Sequence, residues 1–118
     1  MSLNISEDRL QQNIFCYHWN NYPKERGLLF CVFNNPKNKI QGAQLKSKGM
    51  MKGVSDLIYL KPGGKPLLLE LKTDIGRQSK AQKDWQDSVT VAGYDYYVIR
   101  TLEEAKKICG WQTTHQKN

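Results

Sequence analysis

Hydrophobic residues recur at helical spacing near the beginning of the chain. Leu10 and Ile14 lie four positions apart, a spacing typical of a helix that packs on one face. Ser6 is a suitable N-cap, because its hydroxyl can accept a hydrogen bond from a free backbone N–H of the first turn. A residue that precedes proline is pushed out of the helical conformation. The sequence therefore predicts a first helix that begins after Ser6 and ends before Tyr22-Pro23.

Short apolar runs rich in branched and aromatic residues predict four strands. Leu28–Phe33 is interpreted as a buried strand. Val54–Leu60 and Leu67–Thr73 are joined by a segment with a Pro-Gly-Gly centre, which predicts a hairpin. Tyr96–Arg100 is predicted to be the last strand.

Two capping-box patterns predict the starts of further helices. Ser79–Gln82 opens a long helix that is expected to stop at Gly93, and Thr101–Glu104 opens a last helix that reaches about Cys109. A short helix is also predicted near residues 41–48, inside a lysine-rich connection.

The order of these elements predicts the fold class. Three consecutive strands followed by a helix, a strand and a helix indicate an α/β fold with a central mixed β-sheet flanked by α-helices. Residues 1–109 are expected to form a single domain, and residues 110–118 a polar C-terminal tail.

The charge of the chain favours a polyanionic partner. It carries 18 basic and 11 acidic side chains in 118 residues, a formal charge of +7. No apolar stretch approaches the roughly 18 residues that a membrane-spanning helix needs. The first residues include Glu7 and Asp8 and resemble no signal peptide, so a cytoplasmic protein is expected. The lysine-rich segment 34–53 is either a solvated loop or a basic flap over a nucleic-acid groove.

The cysteines agree with an intracellular location. Cys16, Cys31 and Cys109 are odd in number, widely spaced and set among apolar residues, so they are predicted to be buried thiols. The chain contains no CxxC or HExxH pattern, which argues against a structural zinc site.

Charged residues in the predicted hairpin are the main indication of chemistry. Glu70 and Lys72 alternate with leucines, so they share one face of their strand, and Asp56 lies on the partner strand. A three-residue loop at Gly63–Lys65, or a five-residue loop at Pro62–Pro66, would place Asp56 opposite Lys72. A two-residue glycine turn would break the cluster.

Two carboxylates and a lysine in this arrangement suit metal-assisted attack on a phosphodiester. Hard oxygen ligands bind Mg²⁺, and a lysine can stabilise the charge that develops at phosphorus. The alternative is a buried ion pair that braces the hairpin. The spacing alone does not separate the two interpretations.

The hairpin resembles the PD-(D/E)XK nuclease superfamily, and nearly the whole chain, from about Ser6 to Cys109, resembles its small VRR-NUC branch. The matching elements, in chain order, are Gly53, Asp56-Leu57, Gly63-Gly64, Glu70-Leu71-Lys72, Gly76, Ser79, Gln82 and Trp85. One departure is visible, because Ser55 stands where a proline usually precedes the first aspartate.

The resemblance implies a metal site and a role for each of its residues. Asp56 and Glu70 would bind Mg²⁺, or Mn²⁺ as a substitute, together with the backbone carbonyl of Leu71. Glu7 matches an acidic position that acts on the metal through water.

The resemblance also assigns the remaining catalytic positions. Lys72 would be the catalytic lysine, and Gln82 would lie near the attacking water or the scissile phosphate. Gln82 also fits the third position of a capping box, so a purely structural role is an alternative. The candidate DNA contacts are Lys46, Lys48, Lys52, Arg77, Ser79, Lys80 and Lys83.

The expected function is that of a metal-dependent DNA endonuclease. Standalone domains of this branch resemble Holliday-junction resolvases, which implies branched DNA as substrate, a homodimer and a phage or prophage origin. Two alternatives fit the same residues. One is a sequence-specific or nicking nuclease of the same fold, and the other is a nucleic-acid-binding module without catalysis.

Overall fold

The computed structural model describes residues 5–33, 36–73 and 75–111, which form four strands and four α-helices. A single 3₁₀ turn, Pro23–Glu25, follows the first helix. In chain order the elements are α1 Glu7–Asn21, β1 Leu29–Cys31, α2 Lys39–Ser47, β2 Leu57–Leu60, β3 Pro66–Leu71, α3 Lys80–Val91, β4 Asp95–Ile99 and α4 Leu102–Cys109.

The strands form one mixed sheet in the order β1-β2-β3-β4. The first three strands pair antiparallel, whereas β4 runs parallel to β3 and is reached through the crossover helix α3. The predicted α/β class with a mixed sheet flanked by helices is therefore confirmed.

The core lies between one face of the sheet and the helices α1 and α4. Leu10 and Ile14 of α1 meet Leu69 of β3, and all three are at most 2% exposed. The odd-numbered residues of β3 face this core, so Glu70 points to the opposite face, where α3 packs against β4. The sheet thus carries a hydrocarbon core on one side and the charged residues of the hairpin on the other.

The helix starts confirm the capping predictions. Ser6 accepts a hydrogen bond from the backbone of Arg9 at 3.0 Å, and Ser79 exchanges reciprocal hydrogen bonds with Gln82. Thr101 caps α4 through its hydroxyl, but the predicted capping box is not completed, because the side chain of Glu104 accepts the N–H of Arg100 and not that of Thr101. Each cap satisfies a backbone N–H that the helix itself leaves without a partner.

The prediction for the first strand is wrong in length and burial. β1 has three residues instead of six, and only Leu29 is buried, while Phe30 is 38% exposed. β1 lies at the edge of the sheet, so one of its sides has no neighbouring strand. The apolar run alone could not distinguish an edge strand from a central one.

Two of the three cysteine predictions are also wrong. Cys16 and Cys31 are exposed, because α1 turns Cys16 away from the core and β1 is an edge strand. Cys109 is buried as predicted, and burial raises the pKa of its thiol to about 12.

Trp111 lies in the segment that the sequence assigned to a polar tail, yet it is 4% exposed. Its ring contacts Tyr59 and the buried ring of His18, and His18 in turn bonds Glu25 at 3.0 Å. The core therefore extends two residues beyond the predicted boundary at residue 109. The rest of the predicted tail, residues 112–118, lies outside the described residues.

No helix within residues 5–33, 36–73 and 75–111 is long and apolar enough to cross a bilayer.

Trp111→Ala should destabilise the fold by about 3–5 kcal/mol, since it removes a large buried side chain and leaves a cavity. Urea denaturation of the purified protein measures the change. Trp19→Ala is the matched control, because Trp19 is 41% exposed, and its cost should be clearly smaller. Equal losses for the two variants would show that Trp111 does not belong to the core.

Candidate active site

The loop before β2 and the first turn of α3 approach each other closely at the candidate site. Gly53 has φ +80°, and a Cβ atom built on it would lie 2.3 Å from the carbonyl oxygen of Ala81. Only glycine allows the loop before β2 to rest on the first turn of α3 in this way. The contact borders an open cavity of about 570 Å³. Its lining residues are Glu7, Lys52, Gly53, Asp56, Ser79, Ala81 and Gln82.

The hairpin register differs from the predicted one. Leu60 pairs with Pro66 and Leu57 with Leu69, so the loop spans residues 61–65. Continuing this register aligns Asp56 with Glu70, and the expected pairing of Asp56 with Lys72 is wrong. The loop ends before Pro66, and not at or after it, because proline is tolerated as the first residue of a strand such as β3. A shift of two positions keeps the same face, so the predicted cluster still forms.

Asp56 sits where β2 begins and is held by the neighbouring strand. Its backbone N–H donates to the carbonyl of Leu69 at 3.0 Å, and its Oδ2 accepts the N–H of Leu71 at 2.7 Å. Burial raises the pKa of Asp56 above its ordinary value, and the charges of Glu7 and Glu70 add to this effect. The bond from Leu71 and the charge of Lys72 oppose the rise. The site thus holds an acidic group among other acidic groups, a strain that a bound cation would relieve.

Glu70 is fully buried, with 0% of its surface exposed. Its Oε1 accepts hydrogen bonds from the Tyr96 hydroxyl and, at 3.0 Å, from Nε2 of Gln78. Its Oε2 has no hydrogen-bond partner in the described part of the chain. The nearest cation is Nζ of Lys72, at 3.7 Å from Oε2.

Lys72 follows directly after β3 and is 9% exposed. Its backbone N–H donates to the carbonyl of Ile99 at 3.0 Å, which fixes the residue beside the end of β4. Gly76 returns close to its side chain, since a Cβ at Gly76 would lie 3.3 Å from Cδ of Lys72. The ammonium group is therefore confined near the two carboxylates.

Glu7 and Gln82 both reach the cluster from helix starts. Glu7 lines the cavity described above and a smaller one of about 260 Å³, where it faces Asp56 and Leu71. The side-chain oxygen of Gln82 accepts the N–H of Ser79 at 2.8 Å, so its capping role is present in the structure. Gln82 also borders the cavity of Asp56, and the two roles are compatible.

The donor set fits a small hard cation. It consists of the carboxylates of Asp56 and Glu70 and the carbonyl of Leu71, all oxygen ligands of the kind that Mg²⁺ prefers. In the described part of the chain Oε2 of Glu70 is one of three buried polar atoms without a hydrogen-bond partner, with Oγ of Ser55 and Nε1 of Trp111, and it is the one that lies beside Lys72. Within the described residues no three His, Cys, Asp or Glu side chains are grouped to hold a metal by themselves. Water and the carbonyl would complete the shell, as is usual for Mg²⁺.

Two partners of Glu70, Tyr96 and Gln78, were not predicted from the sequence. Tyr96 lies on β4, whose parallel register pairs Leu68 with Tyr96 and Glu70 with Val98. Gln78 lies in the loop between β3 and α3 and also donates to Gln86 at 2.8 Å. No local pattern indicated either contact, since both depend on how the crossover helix places β4 beside β3.

The basic residues predicted to bind DNA are spread around the site. Lys52 lines the cavity beside Asp56 and also a neighbouring cavity of about 550 Å³, which Lys46 shares. Lys80 is exposed and pairs with Asp84 at 2.8 Å, an interaction that raises the pKa of Lys80. Lys48, Arg77 and Lys83 are exposed, and Ser79 borders the cavity.

Comparisons with known proteins give consistent results. The family model described as the VRR-NUC domain matches residues 3–102. The fold is similar to that of a solved structure described as a VRR_NUC domain protein, with a TM-score of 0.71 and 20% sequence identity. The alignment covers 92% of this chain and 88% of that one. The comparison with curated proteins found no match.

The raised pKa of Asp56 predicts a pH-dependent stability of the metal-free protein. The folded state holds this proton more tightly than the unfolded state, so the free energy of unfolding falls as pH rises from about 3.8 toward the raised pKa. Asp56→Asn removes the charge and keeps an acceptor for the N–H of Leu71. In chelator, the variant should be more stable than the wild type at about pH 7, and the gap should shrink toward about pH 3.

Urea denaturation across this pH range measures the effect. Asp87→Asn is the control, because Asp87 is an exposed residue of α3, and its stability should follow that of the wild type. A wild type that gains stability relative to Asp56→Asn as pH rises would contradict the prediction.

Proposed function

The chain belongs to the VRR-NUC family of the PD-(D/E)XK nuclease superfamily, and on this basis we propose that it is a divalent-metal-dependent DNA endonuclease. One observation carries the proposal. Glu70 is buried beside Lys72 with its Oε2 unbonded, on the same face as Asp56. Carboxylate oxygens beside a lysine are suited to a metal-assisted hydrolysis of a phosphodiester.

Asp56 and Glu70 would hold the cation through their carboxylate oxygens, with the carbonyl of Leu71 as a third ligand and Glu7 acting through water. Mg²⁺ suits this oxygen set, and Mn²⁺ is the expected substitute. When bound, the ion supplies charge neutralisation at the phosphate and lowers the pKa of a coordinated water.

Lys72 would stabilise the negative charge that develops on the phosphate in the transition state. Its ammonium group is nearly buried, so its field is screened less than that of a surface lysine. Gln82 borders the same cavity and would contact the attacking water or the scissile phosphate.

A purely structural ion pair is the competing interpretation of Glu70 and Lys72. A buried ion pair stabilises a protein only if hydrogen bonds to its charged atoms offset the cost of removing them from water. The distance of 3.7 Å between Nζ and Oε2 is too long for a hydrogen bond, and Oε2 has no other partner within residues 5–33, 36–73 and 75–111. The geometry therefore favours a ligand-binding role of Glu70 over a purely structural ion pair.

The basic surface supports DNA as the substrate. Lys52 lines the same cavity as Asp56, and Lys46 lines a neighbouring cavity that Lys52 also borders, so a phosphate backbone that follows the two cavities would meet both lysines. The net charge of +7 favours association with any nucleic acid. We assign the remaining phosphate contacts to Lys48, Arg77, Ser79, Lys80 and Lys83.

Branched DNA is the proposed substrate class. Contacts to phosphates carry no sequence information, so a protein that relies on them recognises the shape of its substrate. A homodimer would place two active sites across a two-fold axis, which matches the symmetry of a four-way junction. A nicking or sequence-specific nuclease, and a binding module without catalysis, are the alternatives that the experiment below separates.

Lys72→Ala should reduce cleavage by about 100- to 1,000-fold, because it removes a preorganised positive charge from the transition state. The assay compares a labelled four-way junction, a flap and a linear duplex, in Mg²⁺, Mn²⁺ or chelator. Lys107→Ala is the matched control, since Lys107 is exposed on α4, and it should cut like the wild type.

The products decide between the candidate functions. Paired, metal-dependent cuts on the junction support a resolvase, whereas equal cutting of the duplex supports a nuclease without branch selectivity. Binding without cutting in either metal would leave a binding module and end the endonuclease proposal.

Lys52→Ala and Lys46→Ala should each lower the salt dependence of junction binding. A neutralised phosphate contributes a slope of about −0.9 to a plot of log affinity against log salt concentration. Fluorescence anisotropy in chelator measures the slopes, with Lys107→Ala as the variant that should leave the slope unchanged. Unchanged slopes for both cavity lysines would place the DNA elsewhere on the surface.

A further inference from the structure

The two oxygens of the Glu70 carboxylate have different surroundings. Oε1 accepts hydrogen bonds from the Tyr96 hydroxyl and from Nε2 of Gln78, whereas Oε2 faces Nζ of Lys72 without a hydrogen bond. Two donors on one oxygen hold a buried carboxylate in a single orientation. Oε1 is thus hydrogen-bonded by the protein's own side chains, whereas Oε2 is left to bind a ligand.

Each donor is itself held in place. The ring of Tyr96 meets the ring of Trp85 edge-on, with the ring centres 5.8 Å apart. The amide nitrogen of Gln78 also donates to Oε1 of Gln86 on α3 at 2.8 Å. Neither side chain can leave Glu70 without losing a second contact.

The loop that carries Gln78 is tied to the end of β4. The guanidinium group of Arg100 donates to the backbone carbonyls of Thr73 and Gly76, at 2.9 Å for Gly76. This anchors the segment between Lys72 and the start of α3. The position of Gln78 therefore depends on the parallel pairing of β3 with β4.

We propose that Tyr96 and Gln78 are positioning residues that reserve Oε1 of Glu70 and so restrict this carboxylate to one-oxygen coordination of a cation through Oε2. The proposal rests on the proposed function, because it takes Glu70 to be a metal ligand. Its consequence is selection among divalent ions. Mg²⁺ and Mn²⁺ accept single-oxygen carboxylates in small octahedral shells, whereas Ca²⁺ takes about six to eight oxygens and often both oxygens of one carboxylate.

The test is metal binding in the absence of DNA. Mn²⁺ binding is followed by electron paramagnetic resonance, and Ca²⁺ and Mg²⁺ are measured by competition. The variants are Tyr96→Phe, Gln78→Leu and the double variant. Tyr97→Phe is the matched control, because it removes the same atom from the neighbouring residue of β4, which packs against the hydrophobic core. Thermal melts of each protein report on the fold.

The double variant should bind Mn²⁺ about 10- to 100-fold more weakly than the wild type, as expected for loss of the groups that orient a metal ligand. Its preference for Mn²⁺ over Ca²⁺ should shrink, because Oε1 becomes free to bind the larger ion. Tyr97→Phe should keep the wild-type affinity and preference. Asp56→Asn should abolish binding, which shows that the signal comes from this site.

The outcomes separate this proposal from that of the nuclease. Unchanged Mn²⁺ affinity and Ca²⁺ discrimination in a folded double variant would overturn the positioning role, even if the wild type cuts DNA. The expected binding changes in a protein that cuts no DNA would leave the positioning role intact and remove the endonuclease. A wild type that binds no divalent ion would overturn both.

Discussion

A carboxylate with no exposure to water in the middle of a sheet is the constraint on which the rest of the site depends. A charged group in this position costs several kcal/mol unless other groups compensate it. Tyr96 and Gln78 satisfy one oxygen of Glu70, and Lys72 provides an opposite charge at 3.7 Å. The second oxygen is not satisfied by the described residues. The fold therefore keeps a buried carboxylate oxygen that its own described residues do not satisfy and that a bound cation would satisfy.

The other carboxylate depends on a backbone contact of a different kind. Asp56 reaches the cluster because Gly53 allows its loop to touch the backbone of Ala81 at the start of α3. The same helix start carries Gln82, whose side chain caps it through Ser79. Capping, loop placement and the proposed chemistry thus share a few residues, and a change at any of them affects all three. This sharing explains why a structural role of Gln82 does not count against a functional one.

Sequence patterns predicted the structure best where it depends on interactions between residues close together in the chain. The starts of α1, α3 and α4 follow from Ser6, Ser79 and Thr101, because a cap acts within a single helical turn. Patterns failed where burial depends on distant neighbours. The apolar run around Phe30 became an exposed edge strand, and Trp111 joined the core from a segment of polar appearance. In both cases the number of elements packed against the residue decided its burial.

By itself, the sequence determined that Glu70 and Lys72 share a face, because alternation along a strand is a property of the backbone. It also placed Asp56 on that face for any hairpin loop with an odd number of residues. The predicted register was wrong by two positions, and a shift of two leaves Asp56 on the same face of the sheet. Only the tertiary structure decided which atoms meet Glu70. Tyr96 lies 26 residues farther along and arrives there through a parallel pairing. That pairing is set by the packing of α3 across the sheet, a long-range interaction that leaves no periodic signal in the chain.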